Sequence, residues 1–186
     1  GMTAGSVVQE GRSATAASTY TGSLGDDTLI MMNKSDVLDG GLGTDTLDIN
    51  KAFVLGGLDV DLSSTTDQIS TFNGAANTAV QKGFENVDVS GVTGSFGAQI
   101  TAISTGSTIT GTANADVVTG GAGDDIIHFK GGTDIDDADT VAGGAGANSI
   151  VMDVVSTAID DADFANTTLI QTFTLANGIN TAVFGT

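Results

Sequence analysis

Apolar and polar positions alternate in short bursts along this chain. In the runs LDVDLSS (58–64), FENVDVSGV (84–92), AQITAI (98–103) and STITG (107–111), apolar side chains recur at every second residue, the period of a strand with one face buried. Gly, Thr, Asn and Asp fill the intervals. The pattern predicts many short strands joined by tight turns, with helices scarce.

A longer period overlies this alternation. Asp27, Asp36 and Asp45 are nine residues apart, and each is followed two residues later by an aliphatic: Leu29, Leu38 and Leu47. Written in nines, the segment reads GSLGDDTLI (22–30), MMNKSDVLD (31–39) and GGLGTDTLD (40–48). A second cluster reads GTANADVVT (111–119), GGAGDDIIH (120–128), then, after an insertion from Phe129 to Thr133, DIDDADTVA (134–142) and GGAGANSIV (143–151). Asp116, Asp125, Asp139 and Asn148 hold the sixth place, and Val118, Ile127, Val141 and Ile150 the eighth.

These nonads resemble the haemolysin-type, or repeats-in-toxin (RTX), calcium-binding repeat G-G-x-G-x-D-x-U-x, in which U is a large aliphatic. Copies 40–48 and 120–128 fit every fixed position. The resemblance implies an all-β fold, a right-handed parallel β-roll or β-helix solenoid. Six residues of each nonad make a turn, three make a strand, and the U side chains face inward. Glycines allow turn to pack on turn and carbonyl oxygens to converge, and the Asp adds a carboxylate, an oxygen cage suited to Ca2+.

In the family's roll an ion lies between turn n and turn n + 2. Carried over residue by residue, this pairs Asp27 with Asp45, Asp116 with Asp139, and Asp125 with Asn148. The accompanying turn glycines are Gly22, Gly25, Gly40, Gly41, Gly43, Gly111, Gly120, Gly121, Gly123, Gly143, Gly144 and Gly146. Turn 31–36 departs from the pattern, with Met31, Met32, Asn33 and Lys34 in place of glycines, and the Lys34 ammonium is expected where an ion would bind. No ion is expected at Asp36.

The two clusters are themselves copies. A shift of 89 residues lays Asp27 on Asp116 and Asp36 on Asp125. The expected organisation is a flexible leader over 1–19, whose Gly1-Met2 start reads as a cloning remnant, then solenoid units over 20–108 and 109–186 stacked into one elongated body. The second unit is shorter than the first, as in a fragment of a longer repeat protein.

Composition narrows the function classes. The chain of 186 residues carries a formal charge of −18 but is 40% hydrophobic, too apolar for a disordered acidic tail. Of 23 acidic residues only Glu10 and Glu85 are Glu, a bias toward turns and oxygen-ligand sites. Five basic residues (Arg12, Lys34, Lys51, Lys82, Lys130) give no patch for a nucleic acid. Nothing approaches the ~18 apolar residues of a membrane-spanning helix, so no membrane insertion is expected. With no cysteine, no tryptophan, one tyrosine and one histidine, thiol chemistry and a sugar-stacking cleft are poorly supplied. His128 reads as a surface residue of a repeat, and no catalytic residue is expected.

The expected function is a calcium-binding structural segment of a secreted bacterial cell-surface protein, an S-layer protein or large adhesin exported by type I secretion. Its expected partners are calcium ions, with other copies of itself or surface polysaccharide as further candidates. The alternatives are an RTX targeting module attached to a secreted protease or polysaccharide epimerase, and a carbohydrate-binding surface module.

Overall fold

A three-residue strand buries nothing by itself; it gains a core only if the strand two turns further on lies beside it. The computed structural model, which describes residues 8–10, 16–49, 56–92, 94–131, 134–155, 159–178 and 182–183, is built this way. Thr28, Leu29 and Ile30 pair in parallel with Thr46, Leu47 and Asp48. The pairing continues to Asn86–Asp88, Thr108–Thr110, Ile126–Phe129, Ser149–Met152 and Thr172–Thr174, all in one sheet. Val8–Glu10, inside the expected leader, is the first strand of that sheet. The rest of 1–15 lies outside the described residues. The sheet therefore runs without interruption through both sequence units.

The opposite face is made by two sheets. Thr19–Thr21, Val37–Asp39 and Gln81–Lys82 form one, and Leu58–Asp61, Ala98–Thr101, Val117–Thr119, Thr140–Ala142 and Thr167–Thr168 are the parallel part of the other. The Gln68 N–H donates to the Gln81 carbonyl at 2.6 Å and links the two. The fold is an all-β parallel roll, and among the described residues its helical content is a single 3-10 turn, Ala162–Phe164.

Eighth-position aliphatics and the inward residues of the alternating runs form the core together. Leu29, Leu47, Val87, Ile109, Ile127 and Ile150 stack in one inward row, and Val60, Ile100, Val118 and Val141 in the facing row. All are 1% exposed or less. Burying each such side chain contributes about 1.5–3 kcal/mol, and nine-residue spacing delivers one per strand.

One segment leaves the parallel pattern. Leu58–Asp61 pairs antiparallel with Ile69–Phe72, which turns back into Ala75–Ala76 through Asn73 (φ 57°) and Gly74 (φ 71°). Asn-Gly is the dipeptide that best tolerates two successive positive φ angles, the requirement of a two-residue hairpin turn.

The irregular stretch shifts the phase of the second cluster. Asp27, Asp45, Asp125 and Asn148 each precede a strand of the eight-stranded sheet, whereas Asp116 and Asp139 precede strands of the opposite face. Asp27 and Asp116, aligned in sequence, thus sit on opposite edges of the roll.

Candidate metal centre

Turn packs on turn too closely for side chains. A β-carbon on Gly22 would collide with the Gly40 carbonyl oxygen, one on Gly40 with that of Gly83, one on Gly120 with that of Gly143, and one on Gly143 with that of Leu169. Gly144 (φ 77°) and Gly146 (φ 88°) add backbone conformations that L side chains rarely adopt. Glycine at these positions leaves a row of carbonyl oxygens facing into the turns.

The sixth-position side chains then form a ladder along that edge. The Asp27 N–H donates to Asp45 Oδ1 (2.8 Å), the Asp45 N–H to Glu85 Oε2 (2.7 Å), and the Ser107 N–H to Asp125 Oδ1 (2.7 Å). The Asp125 N–H donates to Asn148 Oδ1 (2.9 Å) and the Asn148 N–H to Gln171 Oε1 (2.6 Å). On the other edge Ala98 donates to Asp116 Oδ1 (2.7 Å) and Asp116 to Asp139 Oδ1 (2.8 Å). All three expected pairs, Asp27 with Asp45, Asp116 with Asp139 and Asp125 with Asn148, are neighbours on the ladder.

The second oxygen of each carboxylate turns back into its own loop. Asp27 Oδ2 accepts from Ser23 N–H, Asp125 Oδ2 from Gly121 N–H, Asp116 Oδ2 from Thr112 N–H and Asp139 Oδ2 from Asp136 N–H. All five Asp side chains are at most 2% exposed, and Asp45 Oδ2 is buried with no hydrogen-bond partner. Burial pushes the Asp45 carboxyl up to about 6, with repulsion from Glu85, Asp27 and Asp26 adding to it and the Asp27 N–H opposing. Asp139 is likewise raised to about 6, and Asp116 and Asp125 are raised, burial being the largest cause in each. The structure buries negative charge that its amides only partly compensate.

The described lysine and histidine ion pairs lie elsewhere: Lys82 with Asp39 (3.0 Å), Lys130 with Asp88 (2.5 Å) and His128 with Asp153 (2.8 Å). Turn 31–36 satisfies its aspartate differently. Asp36 accepts N–H groups from Ser18, Met32 and Asn33, and the Gln81 amide donates to its carbonyl. Lys34 is exposed, so backbone amides close this turn in place of the expected ammonium.

Asn148 displays what the turn interior requires. Its Nδ2 donates to the carbonyls of Ala145 (3.0 Å) and Leu169 (3.2 Å), one in its own turn and one in the next. In the Asp turns an oxygen replaces that nitrogen: Asp27 Oδ2 and Gly40 O border the same small volume beside Gly22, as do Asp45 Oδ2 and Gly83 O beside Gly40, and Asp125 Oδ2 and Gly143 O beside Gly120. Carboxylate and carbonyl oxygens facing one another fit a hard cation bound by oxygen. Among the described residues no three acidic or imidazole side chains converge on one point, so backbone carbonyls must supply much of the cage.

The family model described as the RTX calcium-binding nonapeptide repeat (4 copies) matches residues 21–48, 104–136 and 135–151. This chain carries RTX calcium-binding repeats. No curated protein and no solved structure matches it. The ion of RTX repeats is Ca2+, and the repeats are a structural calcium-binding module with no catalytic role of their own. Among the described residues no helix is long and apolar enough to cross a membrane.

Sequence reasoning missed several members of the RTX ladder. Ser107 occupies a sixth position inside a matched segment, in a stretch whose sequence shows only strand alternation. Glu85 and Gln171 reach the column from irregular turns with no nonad spacing to announce them. Asp26 and Asp124, in the fifth position, accept the N–H groups of Thr44 and Ala147 one turn further on. Asp134, raised by burial, accepts from Gly131 and lies close enough to raise Asp116.

Proposed function

We propose that this chain is a calcium-stabilised structural segment of a secreted bacterial surface protein, an S-layer protein or RTX adhesin, whose two units stack into one body. Ions lie between the turns of Asp27 and Asp45, of Asp125 and Asn148, and of Asp116 and Asp139, with carbonyl oxygens of the turn glycines completing each cage. The observation that carries the reading is the row of fully buried carboxylates set against carbonyl oxygens.

Folding linkage is the mechanism. At cytosolic calcium the stacked carboxylates oppose folding and leave the chain loose for export. Outside, calcium binds the folded roll. For a Kd of about 0.1 mM, about 1 mM calcium adds roughly 1.4 kcal/mol per ion. Three ions then contribute about 4 kcal/mol, close to the whole stability of a marginal domain. RTX repeats occur typically in secreted proteins, which supports the extracellular location. The continuous parallel sheet suits a rigid spacer that presents itself to other copies or to surface polysaccharide.

Negative-stain electron microscopy with calcium and with chelator tests the assignment. Calcium-dependent sheets support the S-layer form, and extended single particles the adhesin form. Compact particles indifferent to calcium would overturn both.

A further inference from the structure

Turn 40–45 has two different neighbours. On one side lies turn 22–27, its repeat partner. On the other lies segment 83–85, about forty residues on in sequence and outside the matched repeats. The contact is intimate: Gly40 N–H donates to Lys82 O (3.0 Å), Asp45 N–H to Glu85 Oε2 (2.7 Å), and the Gly83 carbonyl oxygen faces Gly40 so closely that a β-carbon there could not fit.

The chain contains an uncharged counterpart of this arrangement. Asn148 and Gln171 occupy the same column in the same register, and Gln171 Oε1 accepts the Asn148 N–H just as Glu85 Oε2 accepts that of Asp45. There the Asn148 amide nitrogen bonds the carbonyls of Ala145 and Leu169, and the turn is self-sufficient. By the same register, with Leu42 three residues before Asp45 as Ala145 is before Asn148, the equivalent atoms are the carbonyls of Leu42 and of Gly83, which faces Gly40, but Asp45 presents Oδ2, which donates nothing. That oxygen is fully buried and unpartnered. The nearby Lys82 ammonium does not neutralise it, being 45% exposed and paired with Asp39.

We infer that a further calcium ion lies between turn 40–45 and segment 83–85, held by Asp45 Oδ2, the carbonyl oxygens of Leu42 and Gly83, and the Glu85 carboxylate. The site joins a repeat turn to a non-repeat one, so it pins the irregular middle of the chain to the end of the first cluster. A groove lined by Asp39, Gly41, Leu62, Gly83, Phe84 and Glu85 leads from solvent to the segment and provides an entry path. The inference rests on the calcium reading above and adds a site to it.

Native mass spectrometry of the full chain in calcium counts the ions. Glu85→Gln retains the acceptor for the Asp45 N–H, as Gln171 does for Asn148, so the chain should fold and bind one ion fewer than wild type. The paired exchange Asn148→Asp with Gln171→Glu installs the acidic arrangement at the uncharged position and should bind one ion more. An unchanged count in either chain overturns the site, and if Glu85→Gln fails to fold the paired exchange decides alone. A wild-type chain that binds no calcium at all would instead overturn the broader reading.

Discussion

The main-chain N–H of Asp27 donates to the carboxylate of Asp45, eighteen residues later in sequence, at 2.8 Å. One side chain thereby records the register of two stacked turns and brings two buried carboxylates onto neighbouring rungs. The same link joins Asp125 to Asn148 and Asp116 to Asp139, each across 23 residues, because the insertion between them is absorbed without losing the stack.

Charge and hydrogen bonding at these positions are separable. Asp125→Ala orphans the N–H groups of Ser107 and Gly121 and should cost about 1–3 kcal/mol for each donor left buried, with or without calcium. Asp125→Asn keeps the acceptor for the Ser107 N–H but turns an amide nitrogen toward the Gly121 N–H. In calcium its urea midpoint should fall below wild type and stay above that of Asp125→Ala.

The pH dependence of the metal-free roll has a defined sign. Asp45 and Asp139 are raised from 3.8 to about 6 in the folded state, so the fold binds more protons than the unfolded chain between those values. Their contribution is fully present below pH 3.8 and is lost as pH rises through about 6. In chelator, the far-UV β signal should therefore be stronger at about pH 5 than at about pH 7.5. Calcium added near pH 6 should release protons, measurable by calorimetry in buffers of different ionisation enthalpy.

Glycines divide by what faces them. Gly120→Ala drives a methyl into the Gly143 carbonyl oxygen and should cost about 1–3 kcal/mol while weakening calcium binding. Gly57→Ala, with no atom closer than 4.0 Å to the new carbon, should change stability by no more than about 0.5 kcal/mol. Chemical denaturation of the two variants side by side checks the contrast.

Adjacent residues on one strand should differ as sharply. Ile127 is fully buried and Ile126 is 40% exposed. Ile127→Ala should cost about 2–5 kcal/mol, and Ile126→Ala less than about 1 kcal/mol.

The nonad spacing makes the inward row from Leu29 to Ile150 and the pairing of the sixth positions legible in sequence, because one residue type per place is repeated. What lies between the clusters follows other rules. The hairpin through Asn73 and Gly74 is signalled only by its turn dipeptide, and it helps to put Asp116 on the edge opposite Asp27. Glu85 and Gln171 join the ladder because their strands pair with repeat strands, a long-range contact that no local spacing encodes. The role of Asn148 is equally hidden. An asparagine in the sixth place reads as a weaker oxygen ligand, and only the position of Leu169 O shows that its nitrogen has a use.

Far-UV circular dichroism during a calcium titration of the metal-free chain reads out whether calcium drives folding of the roll. Calcium-linked folding predicts a weak, largely unfolded spectrum in chelator at neutral pH that converts cooperatively to a β signal as calcium is added, with the transition displaced to higher calcium in Asp45→Ala and Asp125→Ala. A full β signal in excess chelator, unchanged by calcium and by both substitutions, would contradict it.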